Sequence, residues 1–413
     1  MSGTLALLGG SPLLDTTTYP AWPAVVGDEV AAAERVLTSG AWGSNVGGEV
    51  KAFEREFAEF QQAPHGTATV NGTIALVAAL KAAGVGLGDE VIVPSYTFIA
   101  TAAAALMIGA VPVFADVRAD DHLIDPEHVA TLVTPRTRAV IAVHLAGAVA
   151  DMDALAAIAQ KHGLRLIEDA AQAAGASYRG RRVGAIGDIG TFSFQSSKNL
   201  TSGEGGIMLT ADPALAEALY SFVNVGRVPG GGWYEHRTLG YNLRLTELQG
   251  AVLRAQLAAF PALQERRERA AVRLDAALAG IDGLRLARVD ASTTEHGRHL
   301  HMLRVPGLGE QGLRDAAVAA LKAEGVAGAF GGYVPLHRSE ALLGEADAIA
   351  DRLGQPRPAR ECPVTDTLCA DTIWLDQRTL LADDDHLDGV AEAFAKVLSQ
   401  EDALRDHVKK ENG

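Results

Sequence analysis

Thr191-Phe-Ser-Phe-Gln-Ser-Ser-Lys198-Asn-Leu-Thr-Ser-Gly-Glu-Gly-Gly206 opens as an apolar strand, breaks into a hydroxyl- and glycine-rich turn holding one lysine, and resumes as a second apolar run. Upstream of it, short β-branched runs at Glu90–Pro94, Val111–Ala115, Ala139–His144, Arg165–Glu168 and Ile189–Phe194 precede the run Gly206–Leu209. Between them lie apolar stretches of helical period, Thr73–Ala83, Thr97–Ile108, Asp125–Leu132 and Asp151–His162. Such alternation predicts an α/β fold, a mostly parallel sheet covered by helices. Each helical stretch opens on Thr or Asp in a capping position, and Asp125 is followed by Pro126, a favoured first helical residue.

Near Asn242 the texture changes to a long, charged, Leu/Ala-rich helical run, Thr246–Ala279, with an interruption expected at Pro261. Beyond it, strand-like Leu284–Arg288 and His299–Val305, a helix around Glu310–Glu324 and a last helix from His386 to Ser399 predict a smaller α+β domain. The expected division is 1–260 for the large domain with its N-terminal arm and 261–413 for the small one. Val228–Trp233 and Gly344–Pro363 read as loops, and there is no internal repeat.

The chain has 413 residues, 48% of them hydrophobic, which suffices for two cores and excludes a disordered protein. Its 36 Lys+Arg against 51 Asp+Glu give −15, a surface that repels nucleic acid and anionic membrane. Cys362 and Cys369 alone make neither a disulfide framework nor a four-cysteine zinc site, and they read as buried small hydrophobes. The opening MSGTLALLGGSPLLDTTTYP lacks a basic region before its apolar run, and no stretch approaches the roughly 20 apolar residues of a membrane span. A soluble protein of a reducing cytoplasm is expected.

Chemistry concentrates in a few places. A lysine on a turn between two core strands, partly desolvated, loses its proton readily and becomes a nucleophile toward an aldehyde; a surface lysine in a hairpin turn is the bland alternative. Ile167-Glu168-Asp169 ends a strand in an acidic pair, and ligands in open α/β sheets bind beyond the carboxyl ends of strands. An acidic helix cap would look the same. Gln172 follows three residues on. In Thr69-Val-Asn-Gly72-Thr73, Gly72 and Thr73 open a helix whose free N–H groups and dipole suit a phosphate, with Ser193 as a second hydroxyl. Phe98, after the strand Glu90–Pro94, is placed to stack on a flat heterocycle or to pack in the core. Asp383-Asp-Asp385 reads as a charged helix start, and His296, His299 and His301 lack a clear metal-binding arrangement, so no metal is expected.

Together these residues resemble the DegT/DnrJ/EryC1/StrS family of pyridoxal-phosphate (PLP) aminotransferases, of fold-type I. The resemblance covers essentially the whole chain and is most specific in EDAAQAAGA (168–176), TFSFQSSKNLTSGEGG (191–206) and GYNLRLTELQ (240–249). It implies Lys198 as the Schiff-base lysine and proton shuttle, Asp169 pairing with the pyridine nitrogen, Phe98 stacking on the ring, and Gly72, Thr73 and Ser193 holding the phosphate; Gln172, by its place three residues after Asp169, is within reach of the ring oxygen or the substrate. It also implies that Asn242 reaches the phosphate of a neighbouring subunit, and hence a homodimer. A sister group of dehydratases carries histidine at the lysine position; lysine here favours transamination.

The segments Cys362–Asp366 and Ile373–Leu381 look more like the glutamine-dependent cyclitol aminotransferases and 3-amino-5-hydroxybenzoate synthases than like the nucleotide-sugar enzymes. The expected reaction moves an amino group from glutamine or glutamate to a keto-cyclitol or keto-sugar in secondary metabolism, with Tyr333, His337, His301 and Arg378 as candidate substrate contacts. A PLP dehydratase or lyase forming an aromatic product, a nucleotide-sugar aminotransferase and a non-catalytic PLP-binding regulator are the alternatives.

Overall fold

The computed structural model describes residues 3–411. Seven strands form the large sheet in the order His65–Thr69, Gly206–Thr210, Ile189–Ser193, Arg165–Asp169, Thr137–Val143, Glu90–Pro94, Val111–Ala115. The last five run parallel, and Gly206–Thr210 is antiparallel to both of its neighbours. Six strands lie within two residues of the runs expected from sequence; His65–Thr69 escaped because HGTAT carries no apolar pattern. Helices cover both faces, and Val91, Val93, Ile141 and Ile167 pack toward one while Ile92, Val140 and Leu166 pack toward the other. This two-sided burial is why the strands read as apolar runs rather than alternating ones.

A second sheet, all antiparallel, runs Arg285–Leu286, Leu300–Arg304, Thr372–Asp376, Ala329–Gly331. Its core of Leu303, Leu321, Ile373, Leu375 and Phe394 is separate from those of the large sheet. A small third sheet joins Thr293–Glu295 to Ser177–Tyr178 and Arg181–Arg182.

The structure corrects three expectations. Glu247–Leu278 is one continuous 32-residue helix through Pro261, opened by a capping box between Thr246 and Gln249. Proline removes an N–H and crowds the preceding turn, but Leu253 and Phe260 on one side are sunk in the large-sheet core and Ala271, Leu274 and Leu278 on the other in the small one. Packing at both ends carries the helix past the defect. Within the expected loop Gly344–Pro363, residues up to Leu353 belong to a helix, Glu340–Leu353, capped by Ser339 and closed by left-handed Gly354. Its buried stripe is Leu342, Ala346 and Ala350, at a spacing of four but too small in side chain to stand out. Finally, neither Thr73 nor Thr97 caps its helix: Asn71 Oδ1 accepts from Ile74 N at 2.9 Å, and the second helix begins at Ala100. Asp125 and Asp151 do cap theirs.

Candidate active site

The carboxyl ends of the parallel strands converge on a cavity of about 630 Å³. The large-sheet side supplies Thr97 and Phe98 after one strand, Val143 at the end of the next, Asp169 at the end of a third and Ser193 at the end of a fourth; the small sheet supplies Leu300, Phe330, Trp374, Asp376 and Gln377. Gly72, Thr73, Phe98, Asp169, Gln172, Ser193, Lys198 and Tyr333, named from sequence, all line it.

The turn that carries Lys198 is held at several points. Lys198 N donates to Gln195 O at 2.9 Å, Trp22 Nε1 donates to Lys198 O at 3.2 Å, and Thr201 Oγ1 and Ser202 N both donate to Phe194 O. Burial brings the Lys198 amine down to about 8, against the pull of Asp169, which favours its charged form. An amine at that point of its titration is partly unprotonated near neutral pH.

The acidic pair divides along the strand, because successive side chains point to opposite faces. Glu168 is wholly buried: although burial alone would raise its pKa, His144 Nε2 at 2.9 Å and the N–H groups of Gly184, Ile186 and Gly187 hold it below the ordinary value. It fastens the following loop to the strand. Asp169 faces the cavity, where burial pushes its pKa up while Thr101 Oγ1, donating at 2.8 Å, Ala171 N, and then Lys198 and His144 pull it back.

Opposite this pair lies the start of the helix Gly72–Ala82. Asn71 takes up the N–H of Ile74 with its side chain and that of Ala75 with its carbonyl, and the N–H groups of Gly72 and Thr73 have no partner among the described residues. A Cβ on Gly72 would fall 2.6 Å from Ser193 Cβ, so only glycine lets the helix start approach that hydroxyl. The result is two free N–H groups, two hydroxyls and a helix dipole around one small volume, the donor set of a phosphate seat.

Phe98 is 57% exposed and Tyr333 stands 6.4 Å away, ring to ring. Gln172 is anchored, accepting from Ala146 N at 2.7 Å and donating to Tyr333 OH at 2.8 Å. Four candidates are not on the cavity wall. His337 is buried against Ser95 Oγ at 2.7 Å, with Asp366 beyond. His301 sits in a separate small pocket, 3.2 Å from Asp275. Arg378 forks onto Asp376 and lies over the Tyr19 ring. These three side chains are therefore already engaged elsewhere in the chain. Asn242 is exposed, bridged to Asn224 through the backbone.

Several lining residues were not legible in the sequence. Thr97 on the wall and Thr101 behind it form a chain of hydroxyls ending on the Asp169 carboxylate, with Thr97 and Thr101 3.2 Å apart. Trp374, Asp376, Gln377 and His299 come from the small sheet, and nothing local announces that it closes over the large one.

The architecture agrees with comparisons to known proteins. Residues 23–395 match the model of the DegT/DnrJ/EryC1/StrS aminotransferase family. The chain is 40% identical over 386 residues to a 3-amino-5-hydroxybenzoate synthase of Amycolatopsis mediterranei, covering 92% of this chain and 98% of the relative. It is 38% identical over 422 residues to an L-glutamine:2-deoxy-scyllo-inosose aminotransferase of Streptomyces fradiae, covering 96% and 98%. The crystal structure of a 3-amino-5-hydroxybenzoic acid synthase superposes with a TM-score of 0.86 at 39% identity, over 95% of this chain and 100% of that one. With the match spanning most of its length, the chain belongs to the DegT/DnrJ/EryC1/StrS aminotransferase family.

Proposed function

We propose that this aminotransferase binds PLP in the cavity at the strand ends and moves the amino group of glutamine or glutamate onto the ketone of a cyclitol or similar polyol. The observation that carries the reading is one cavity in which a depressed-pKa lysine, a buried carboxylate and a phosphate seat stand together. PLP, when bound, supplies an aldehyde for amines and a protonated ring that draws electrons from the carbon bearing the nitrogen.

The residues present fit that group. Gly72, Thr73 and Ser193 hold the phosphate, and Phe98 covers the ring. Asp169, fixed by Thr101, keeps a proton on the ring nitrogen. Lys198 Nζ takes the proton from the donor's amine-bearing carbon and returns one to the acceptor's. Gln172, with Tyr333, orients the ring oxygen or the substrate beside it. Asn242, exposed on this subunit, is read as a phosphate contact offered to a second copy in a homodimer.

The choice of acceptor rests on the lining. Among the described residues on the cavity wall Lys198 is the one cation, while Asp169, Glu204 and Asp376 are acids and Thr97, Gln195, Ser197 and Gln377 are neutral hydrogen-bonding groups. That set suits an uncharged polyhydroxy ketone better than a nucleotide diphosphate. L-glutamine:scyllo-inosose-type names among the relatives, such as those of Streptomyces fradiae and Streptomyces lividus, point the same way. Incubating the PLP-loaded protein with an amino donor and 2-deoxy-scyllo-inosose should give an amine in which an amino group and a hydrogen on the same carbon replace the ketone oxygen, with the hydroxyls retained. A product that has lost water and become aromatic would favour the dehydratase reading.

A further inference from the structure

On and behind one wall of the cavity two side-chain amides, Gln377 and Asn199, have orientations that chemistry alone dictates. Asn199 Nδ2 donates to the carbonyls of Gly297 at 2.8 Å and Arg298 at 3.1 Å, groups that only accept. Its Oδ1 is therefore the end turned to His299 Nδ1, 3.0 Å away. An amide oxygen also only accepts, so His299 carries its proton on Nδ1 and leaves Nε2 as a bare lone pair. Burial, then the nearby charges of Lys198 and Arg267, hold this imidazole well below its ordinary pKa and keep it neutral.

Across the sheet, Gln377 Oε1 accepts from Nε of Arg267 at 3.0 Å and from Nη2 at 2.7 Å. A guanidinium only donates, so the amide cannot be turned round, and the Nε2 donors of Gln377 point away from Arg267. Arg267 itself is fully buried with no carboxylate partner among the described residues, a costly arrangement whose visible result is the fixed amide of Gln377. The antiparallel register ends on the pair Leu300 and Asp376, and His299 and Gln377 are the residues immediately beyond that last pair on the two segments. Both line the cavity, and neither Nε2 has a partner among the described residues. The wall thus presents one fixed acceptor beside one fixed donor.

We propose that His299 and Gln377 read the side-chain carboxamide of a glutamine amino donor, an assignment that rests on the amino-transfer reading above. Gln377 Nε2–H donates to the carboxamide oxygen, and the carboxamide N–H donates to His299 Nε2. Glutamate offers Gln377 the same oxygen, but its second oxygen meets the lone pair of His299. A site built to accept from an N–H rejects the analogue that lacks it far more strongly than an apolar pocket distinguishes shapes.

The test follows the donor half-reaction of the PLP-loaded protein by absorbance, with L-glutamine and L-glutamate separately, beside equilibrium binding of each amino acid by tryptophan fluorescence. The variants are His299→Phe, which removes the acceptor, and Gln377→Glu, which removes the donor while leaving Arg267 a partner. The wild type should prefer glutamine by about tenfold or more in kcat/KM, and each variant should lower the glutamine value by about tenfold, chiefly through KM, bringing the ratio toward one. A glutamine preference in binding that survives both substitutions would overturn the proposal, and so would a change confined to the KM of the ketone, which would give the pair to the polyol instead. If the wild type turns over neither amino acid yet binds glutamine selectively and loses that selectivity in both variants, the amino-transfer reading fails while this assignment stands.

Discussion

Lys198 shows how much of the chemistry a single residue can carry into a sequence, and how much only its surroundings supply. The strand, turn and strand around it were readable, but the depressed pKa comes from burial, which no local pattern reveals. Because its folded pKa lies below that of an unfolded lysine, this group disfavours the fold at pH below about 8, and the penalty is relieved as pH rises from about 8 toward 10.5. The same titration sets reactivity. The rate at which PLP-free protein takes up PLP should climb with pH through a midpoint near 8 and then level off. Stopped-flow absorbance measures it; a midpoint near that of an ordinary lysine would mean the amine is not the buried one. Asp169 and Glu168 make the complementary point, since adjacent carboxylates with the same sequence environment take opposite fates through the alternation of the strand.

At the level of elements, the parallel strands were legible because two-sided burial makes them apolar throughout, and the long helix because its period is sustained. What misled was composition acting against packing. Pro261 predicts a break, and the two cores at either end of Glu247–Leu278 override it. Pro261→Ala should then restore the missing N–H toward Leu257 O and, after the greater freedom of the unfolded chain is subtracted, raise the unfolding free energy by about 2 kcal/mol. Denaturant unfolding checks this, and a lower midpoint for the variant would show that the proline is required by its packing. The helix Glu340–Leu353 was missed for the converse reason, a stripe of small residues around Gly344.

For the whole molecule, the site exists because two sheets meet, and Trp374, Gln377 and His299, which the sequence did not assign to the cavity wall, are brought there by the second sheet. The proposed division after residue 260 cuts a helix shared by both cores, so the two parts are expected to unfold together. Asn242 extends the same logic across subunits. A homodimer is expected by sedimentation, with Asn242→Ala weakening PLP binding by about tenfold, the loss of one hydrogen bond to a charged group; a monomer binding PLP at full strength would contradict it. The central claim is that Lys198 is the amine to which PLP attaches. Borohydride reduction of the PLP-loaded protein, followed by peptide mass mapping, should place the pyridoxyl group on the peptide containing Lys198 and nowhere in Lys198→Ala protein, whereas a label on any other lysine would contradict the account.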